Sequence, residues 1–307
     1  MSGTGKTALK RKPRGPAARP LGAHMSIAGG LSLAVERAAS VRATALQIFT
    51  KNQLQWDGPH PSAGDVAAFR QAVETSRLRF VCAHAGYLIN LASPESAIHE
   101  RSLAAMVDEV RRAEALGCSG VVLHPGSHKR SGRAAGIARL VAALAEVLAA
   151  TTDCQADILV ENTAGQGDCL GGRFEELAEI FERLDWHPRL GLCLDTCHAF
   201  AAGIDLRTPQ AVAAAAAEIE SLFGMARLRV LHLNDCCHGL GCKLDRHAHI
   251  GAGKIGRAGF AAILHEPRFR GIPGIIETPK DWKTLAEDRT NLNRLRRLEG
   301  GTAGSRS

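Results

Sequence analysis

Residues 190–203 read LGLCLDTCHAFAAG. The opening run is apolar or small, the mark of a buried strand. It ends at Asp195, and His198 follows where the chain must leave the strand. Alternate side chains on a strand share a face, so Cys193 and Asp195 point one way while Leu192 and Leu194 point the other. Outward leucines with a carboxylate at the tip of the inward row suit a parallel barrel strand covered by helices.

The flanking sequence repeats that alternation of strand and helix. Strand-like runs fall at 21–24, 43–49, 79–84, 120–124, 157–161, 190–195, 229–234 and 274–277. Amphipathic or alanine-rich stretches lie near 31–40, 63–77, 96–116, 134–150, 174–184, 208–223, 256–265 and 282–298. Eight strand–helix pairs in this length predict a single-domain TIM (β/α)8 barrel over 21–300. An open doubly wound sheet is the competing arrangement, since periodicity does not report closure. The one long non-helical connection, 235–254, contains Asp245 and His247; loops of that length usually carry function.

Charge is unevenly placed. The chain has 38 basic and 31 acidic residues, but Lys6, Lys10, Arg11, Lys12, Arg14 and Arg19 fall in residues 1–20, where there is no acid. That segment, rich in Pro, Gly and Ala, reads as a disordered basic arm, and 301–307 reads as a disordered tail. Gly3–Thr7 mimics the end of a phosphate loop but lacks its upstream glycine and strand, so no nucleotide cofactor is expected. The body is nearly neutral, and bulk charge alone does not mark a nucleic-acid binder. Nine cysteines without a paired framework fit a reducing compartment. No apolar run is long enough to span a membrane. The expected location is the cytoplasm with the nucleoid, or the nucleus in a eukaryotic cell.

The strand ends share a pattern. Cys82 precedes His84 by two places, Val122 precedes His124, Leu159 precedes Glu161, Cys193 precedes Asp195, Val230 precedes His232 and Ile275 precedes Glu277. In a parallel barrel these ends converge at one mouth. His198, Asp245 and His247 add groups from adjoining loops. Imidazole and carboxylate without thiolate suit zinc, manganese or iron. Nine donors exceed one tetrahedral ion and suit two or three. Burying so many ionisable groups without a counter-charge would be costly.

Taken together, GAHMS–GG (22–30), QIFTKNQ–QW (47–56), H–YLINL (84–91), LHPGSH (123–128), ENTAGQG (161–167), CLDTCHAFAAG (193–203), HLND (232–235), DRHAHIG–G–IG (245–256) and IIET (275–278) resemble the endonuclease IV family of apurinic/apyrimidinic endonucleases. The likeness covers essentially all of 21–298. It implies a TIM barrel with three zinc ions, manganese being admissible at one position. It also implies cleavage of duplex DNA 5′ to an abasic site, leaving a 3′-hydroxyl and a 5′-deoxyribose phosphate, together with removal of 3′-blocking groups.

By motif, the resemblance assigns His84, His124 and Glu161 to a first ion. Glu161 bridges to a second, completed by Asp195, His232 and Glu277, and His198, Asp245 and His247 hold a third. Glu161, Asp195 and Glu277 are the expected catalytic carboxylates around a metal-bridged hydroxide. Tyr87 and Leu88 are expected to intrude at the lesion, and Lys51, Asn52, Gln53 and Leu54 to meet DNA. Leu54 replaces the arginine common in the family, and Cys236-Cys237 replaces a pair that usually ends in lysine. His24 is expected behind the ligands or against phosphate. The expected partner is abasic duplex DNA, bound by a monomer. A divalent-metal sugar isomerase or epimerase on the same barrel is the alternative, and a lesion-binding module without turnover is a third. Asp245 and His247 favour the nuclease, because a third ion has no evident isomerase role.

Overall fold

The computed structural model describes residues 18–301. The expected arm up to residue 17, and the tail from 302, lie outside the described residues. The strands are β1 (Leu21–Met25), β2 (Ala45–Phe49), β3 (Phe80–His84), β4 (Gly120–Leu123), β5 (Asp157–Glu161), β6 (Leu190–Asp195), β7 (Leu228–His232), a short pair β8 (Asp235–Cys236) and β9 (His247–Ala248), and β10 (Gly274–Ile276). The helices are α1 (Leu31–Ser40), α2 (Ala63–Thr75), α3 (Ser96–Leu116), α4 (Arg133–Ala150), α5 (Phe174–Arg183), α6 (Thr196–Ala202), α7 (Pro209–Phe223), α8 (Gly256–His265) and α9 (Ala286–Gly300). Strands β1–β7 and β10 form a closed parallel barrel, with β10 between β7 and β1. Closure excludes the open sheet. Among the described residues, no helix is long and apolar enough to cross a membrane.

The barrel has two separate apolar layers. Ala45, Cys82, Val122, Leu159, Cys193, Val230 and Ile275 cluster inside it, one level below the mouth. The alternate residues, such as Leu46, Val121, Val160, Leu194 and Leu231, join the larger cluster between strands and helices. This alternation puts the residue two places beyond each inner one at the mouth.

One irregularity preserves the alternation. Leu192 of β6 pairs with Leu228 of β7, but Cys193 pairs with Val230 and Asp195 with His232. Arg229 is the surplus residue of a β-bulge and is exposed, with Asp157 beside it at 3.3 Å. A slip of one residue flips every side chain beyond it to the other face. The bulge therefore turns Val230 and His232 inward.

Element ends differ slightly from the sequence reading. His124 and Glu277 fall one residue beyond β4 and β10. At Glu277 the physical reason is visible: its N–H donates to Asn234 Oδ1 at 2.7 Å. The final helix begins at Ala286 because Asp281 builds a turn first, accepting from Lys283 N at 2.9 Å. The connection after β7 is folded back by the antiparallel β8–β9 pair, and the buried Asp235 carboxylate accepts from Gly253 and Ile255 N–H groups at 2.9 Å each.

Arg19 corrects the boundary of the arm. It is buried, donates to Ile272 O at 2.8 Å and pairs with Glu299 at 3.3 Å. It belongs to the barrel and not to a solvated tail.

Gly22 is the tightest point of the β1–β2 seam, since a Cβ there would lie 1.7 Å from Ala45 O. Gly22→Ala should cost about 3 kcal/mol or more of stability, because overpacking here meets backbone. Denaturant unfolding within about 1 kcal/mol of the parent would show that the seam yields easily.

Candidate metal centre

The inward ends of six barrel strands, with α6 and the connection after β7, bring the nine acid and imidazole side chains named above to the barrel mouth. Three groups form, with donor atoms within 4.8 Å of one another: His84, His124 and Glu161; Glu161, Asp195, His232 and Glu277; and His198, Asp245 and His247. Glu161 sits at the junction of the first two and is fully buried. Its Oε2 is 3.4 Å from His84 Nε2 and 3.1 Å from His124 Nε2. Its Oε1 is 3.0 Å from His232 Nδ1 and 3.3 Å from His198 Nδ1. His198 Nε2 and His247 Nε2 both approach Asp245, at 3.1 and 3.2 Å.

Local structure explains the placements. Asp195 closes β6 and caps α6, accepting from His198 N at 2.7 Å through Oδ1. Its Oδ2 remains for the cluster, where Asn234 Nδ2 donates to it at 2.6 Å. Asp195 is thus both helix cap and candidate ligand. Asn162 brackets the Asp195 backbone from the other side, at 2.7 and 3.1 Å. The imidazoles are held by their remote nitrogens. His84 Nδ1 is 2.8 Å from Ala85 O, His198 Nδ1 is 2.9 Å from Asn162 O, and His247 Nδ1 is 3.2 Å from Glu277 O.

The residues fit metal ions on two counts. Glu161 Oε2 and His247 Nε2 are buried without a hydrogen-bond partner, an arrangement that costs free energy unless something else satisfies them. The donor set is also imidazole and carboxylate in groups of three and four, the chemistry of zinc and of harder divalent ions. Burial would raise the Glu161 pKa, but His232, His124 and His198 hold it well below the ordinary carboxylate range. His24 behaves oppositely: burial lowers its imidazole to about 4, despite Glu277 nearby.

Other expected site residues divide clearly. Tyr87 and Leu54 are exposed at the mouth, 62% and 65%. Leu88 is half-buried and shares with Tyr87 the lining of a cavity of about 830 Å³ beside His124, His198 and Asp245. Gln53 lines a second cavity of about 460 Å³ over His84, His247 and Glu277. Asn52 is exposed, its side chain accepting from Leu54 N at 3.0 Å. Lys51 is the exception. It is buried, with Nζ 2.6 Å from Asp108 and 3.2 Å from Glu109, both on α3. A cation spent on two internal carboxylates does not reach DNA phosphate, so the expected contact is corrected to a structural ion pair.

His24, at the inward end of β1, lies behind Glu277 at 3.5 Å. Cys236 is buried, whereas Cys237 is exposed. The Cys236 thiol is held below its ordinary range, chiefly by a hydrogen bond with the free Cys197 thiol.

Several site residues lack the His, Asp or Glu that marks a strand end as a candidate ligand. Gln47, two places after the inner Ala45, repeats the pattern on β2 with an amide and is fully buried among the ligands. Asn162 and Asn234 directly follow or shortly follow ligands, in ENT and HLND. Trp282, 52% exposed, lines the smaller cavity opposite Tyr87 with Lys280 5.0 Å from its ring. Its only signal was being an aromatic just past the last strand.

A family described as xylose isomerase-like TIM barrel matches residues 35–298. A probable endonuclease 4 of Chloroflexus aurantiacus is 46% identical over 280 residues, covering 91% of this chain and 98% of its own length. The chain belongs to the endonuclease IV family. Endonuclease IV of Thermus thermophilus superposes with a TM-score of 0.80 at 36% identity, across 91% of this chain and 98% of that one. With endonuclease IV membership goes the reaction class, a DNA-cleaving hydrolase. A D-tagatose 3-epimerase-like protein also superposes, with a TM-score of 0.67 at 18% identity over 91% of this chain and 98% of its own, which speaks to the barrel alone.

Glu161→Gln should weaken zinc retention by more than the roughly 10–100-fold that changes behind the ligands cause. Equilibrium dialysis with unchanged zinc per chain would remove Glu161 from the junction. Lys51→Met should cost about 3 kcal/mol, the scale of an interrupted buried pair. It should leave the salt dependence of DNA binding unaltered; a shallower salt slope would return Lys51 to the phosphate-contacting set.

Proposed function

We propose that this endonuclease IV protein is a zinc-dependent apurinic/apyrimidinic endonuclease. It hydrolyses the phosphodiester 5′ to an abasic site in duplex DNA, and it removes 3′-blocking groups at the same centre. One observation carries the reading: three donor groups, built entirely from one chain, meet around the buried Glu161 at the floor of an open mouth. A single chain supplying every donor supports action as a monomer. When bound there, divalent ions would lower the pKa of a water and neutralise charge on a phosphoryl transition state.

The chain's own residues account for the rest. Glu161, Asp195 and Glu277 present carboxylates on the substrate side of the inner apolar layer, and that layer closes the barrel against water from below. Tyr87 stands at the rim with its ring edge-on to Phe49 at 5.4 Å, and Phe49 in turn packs on His24 at 4.3 Å. This stack holds Tyr87 upright while leaving one face open for a base. Leu54 rises on the neighbouring loop, which is joined to the Tyr87 loop through Tyr87 N–H and Gln53 O at 3.2 Å. An exposed aromatic and an exposed leucine on linked loops suit a wedge at a gap in the base stack. A duplex with a missing base opens there at least cost. Gln53 and Trp282 line the space a displaced sugar–phosphate would enter.

A sugar isomerase would share the first two donor groups, but it gives no use to Asp245 and His247, which the β8–β9 connection carries to the mouth. Nor does it explain the exposed Tyr87.

The deciding experiment offers zinc-loaded protein a duplex with one tetrahydrofuran abasic analogue, and separately an aldose. Incision on the 5′ side with no ketose formed is the expected result, and the reverse would establish the isomerase. Tyr87→Ala should preserve bound zinc while lowering the preference for abasic over intact duplex by roughly 10-fold or more, the scale of one lost stacking contact. An unaltered preference would reduce Tyr87 to loop packing.

A further inference from the structure

Among the four imidazoles whose remote nitrogen has a partner, His232 is anchored differently. His84, His198 and His247 lean on backbone carbonyls. His232 instead places Nε2 at 2.8 Å from the side-chain oxygen of Gln47. A carbonyl survives any substitution, whereas a side-chain anchor does not. The amide orientation is fixed by its other neighbours. Gln47 Nε2 is 2.6 Å from Glu277 Oε1 and 3.0 Å from His24 Nδ1. An ionised carboxylate only accepts, so the NH2 must face Glu277 and the oxygen must face His232. Cys82 Sγ, at 3.4 Å, donates to the same oxygen.

We propose that Gln47 is a positioning residue that sets the tautomers of both His232 and His24. Its oxygen requires a proton on His232 Nε2, which leaves the Nδ1 lone pair directed at Glu161, Glu277 and Asp195, at 3.0, 3.2 and 4.0 Å. That is the nitrogen a metal would need. Its NH2 requires His24 to accept at Nδ1 and therefore to carry its proton on Nε2. His24 Nε2 is buried, lacks a partner in the structure, and belongs to a side chain lining the 460 Å³ cavity. One amide thus prepares a metal ligand on one side and a hydrogen-bond donor for a substrate oxygen on the other. Fixing a ligand's remote nitrogen orients the ring and raises its basicity. This inference rests on His232 being a metal ligand, as the proposed function holds.

The test uses the full chain and zinc. Gln47→Met keeps the side chain's length and removes all its hydrogen bonds. It should lower the unfolding temperature of the metal-free protein by only a few degrees, the scale expected for buried partners left unpaired, yet weaken zinc in chelator competition by roughly 10–100-fold. Nitrogen-15 spectra of histidine-labelled, zinc-loaded parent protein should show His232 and His24 both protonated at Nε2, a readout that does not depend on the variant folding. In the variant the His24 signal should shift toward a mixture of tautomers. Parent protein that binds zinc while His232 carries its proton on Nδ1 would overturn the proposal. So would a Gln47→Met variant that holds zinc within about 2-fold of the parent. Parent protein that binds no zinc would instead overturn the metal reading beneath it, and the inference would fall with that reading.

Discussion

Everything at the barrel mouth is arranged around a carboxylate with no access to water. Moving an ionised group from solvent into a protein interior costs several kcal/mol even after relaxation, and the cost is recovered only with well-placed partners. Glu161 lies within 3.4 Å of four histidines, His84, His124, His198 and His232, which come from four different strands or their loops. Those side chains share one partner because the neighbouring strands β3–β7 curve around it as part of the closed barrel. The closed barrel is what lets the buried charge exist, and the charge in turn selects what the mouth can hold.

The inner apolar layer and the polar rim are two consequences of one pleat. Residues at one level fill the barrel with Val, Leu, Ile, Cys and Ala, and the next inward residues up are His, Glu, Asp and Gln. The rim is therefore held at a fixed height above a packed floor. Asparagines at 162 and 234 then lock the strand ends laterally by bonding Asp195 and the Glu277 backbone. Rigid donors of this kind are what a polynuclear centre needs, because ligands displaced by even a fraction of an ångström lose their shared geometry.

Much of this was legible in the residues alone. The apolar-x-acid pattern at Leu159–Glu161 or Cys193–Asp195 marks strand ends because the inward face changes abruptly from packing to chemistry. The long match of motifs to endonuclease IV supplied the family. What stayed hidden depended on packing between distant segments. Lys51 sits beside exposed residues in sequence, yet its side chain turns back onto α3, and nothing local announces Asp108 and Glu109. Arg19 looks like the last charge of a basic arm, and only the docking of α9 shows that it is enclosed. Gln47 is silent for a chemical reason: an amide neither titrates nor commonly binds metal, so nothing in its residue type marks a contact with ligands.

The extra residue at Arg229 has a bearing on how this barrel can change over time. Facing along a strand is a parity, and the bulge in β7 admits one extra residue without changing it from Val230 to the mouth. Excision of Arg229 alone would let Val230 follow Leu228 in regular alternation and would keep His232 facing the carboxylates, because the bulge holds one residue more than the pairing needs. Side-chain scanning at 229 would never disclose this, since what counts is the number of residues and not their chemistry. One residue of length can accordingly come or go at the bulge as well as in the exposed 237–244 segment, whereas a single insertion or deletion in β7 that no bulge absorbs turns His232 away from the mouth.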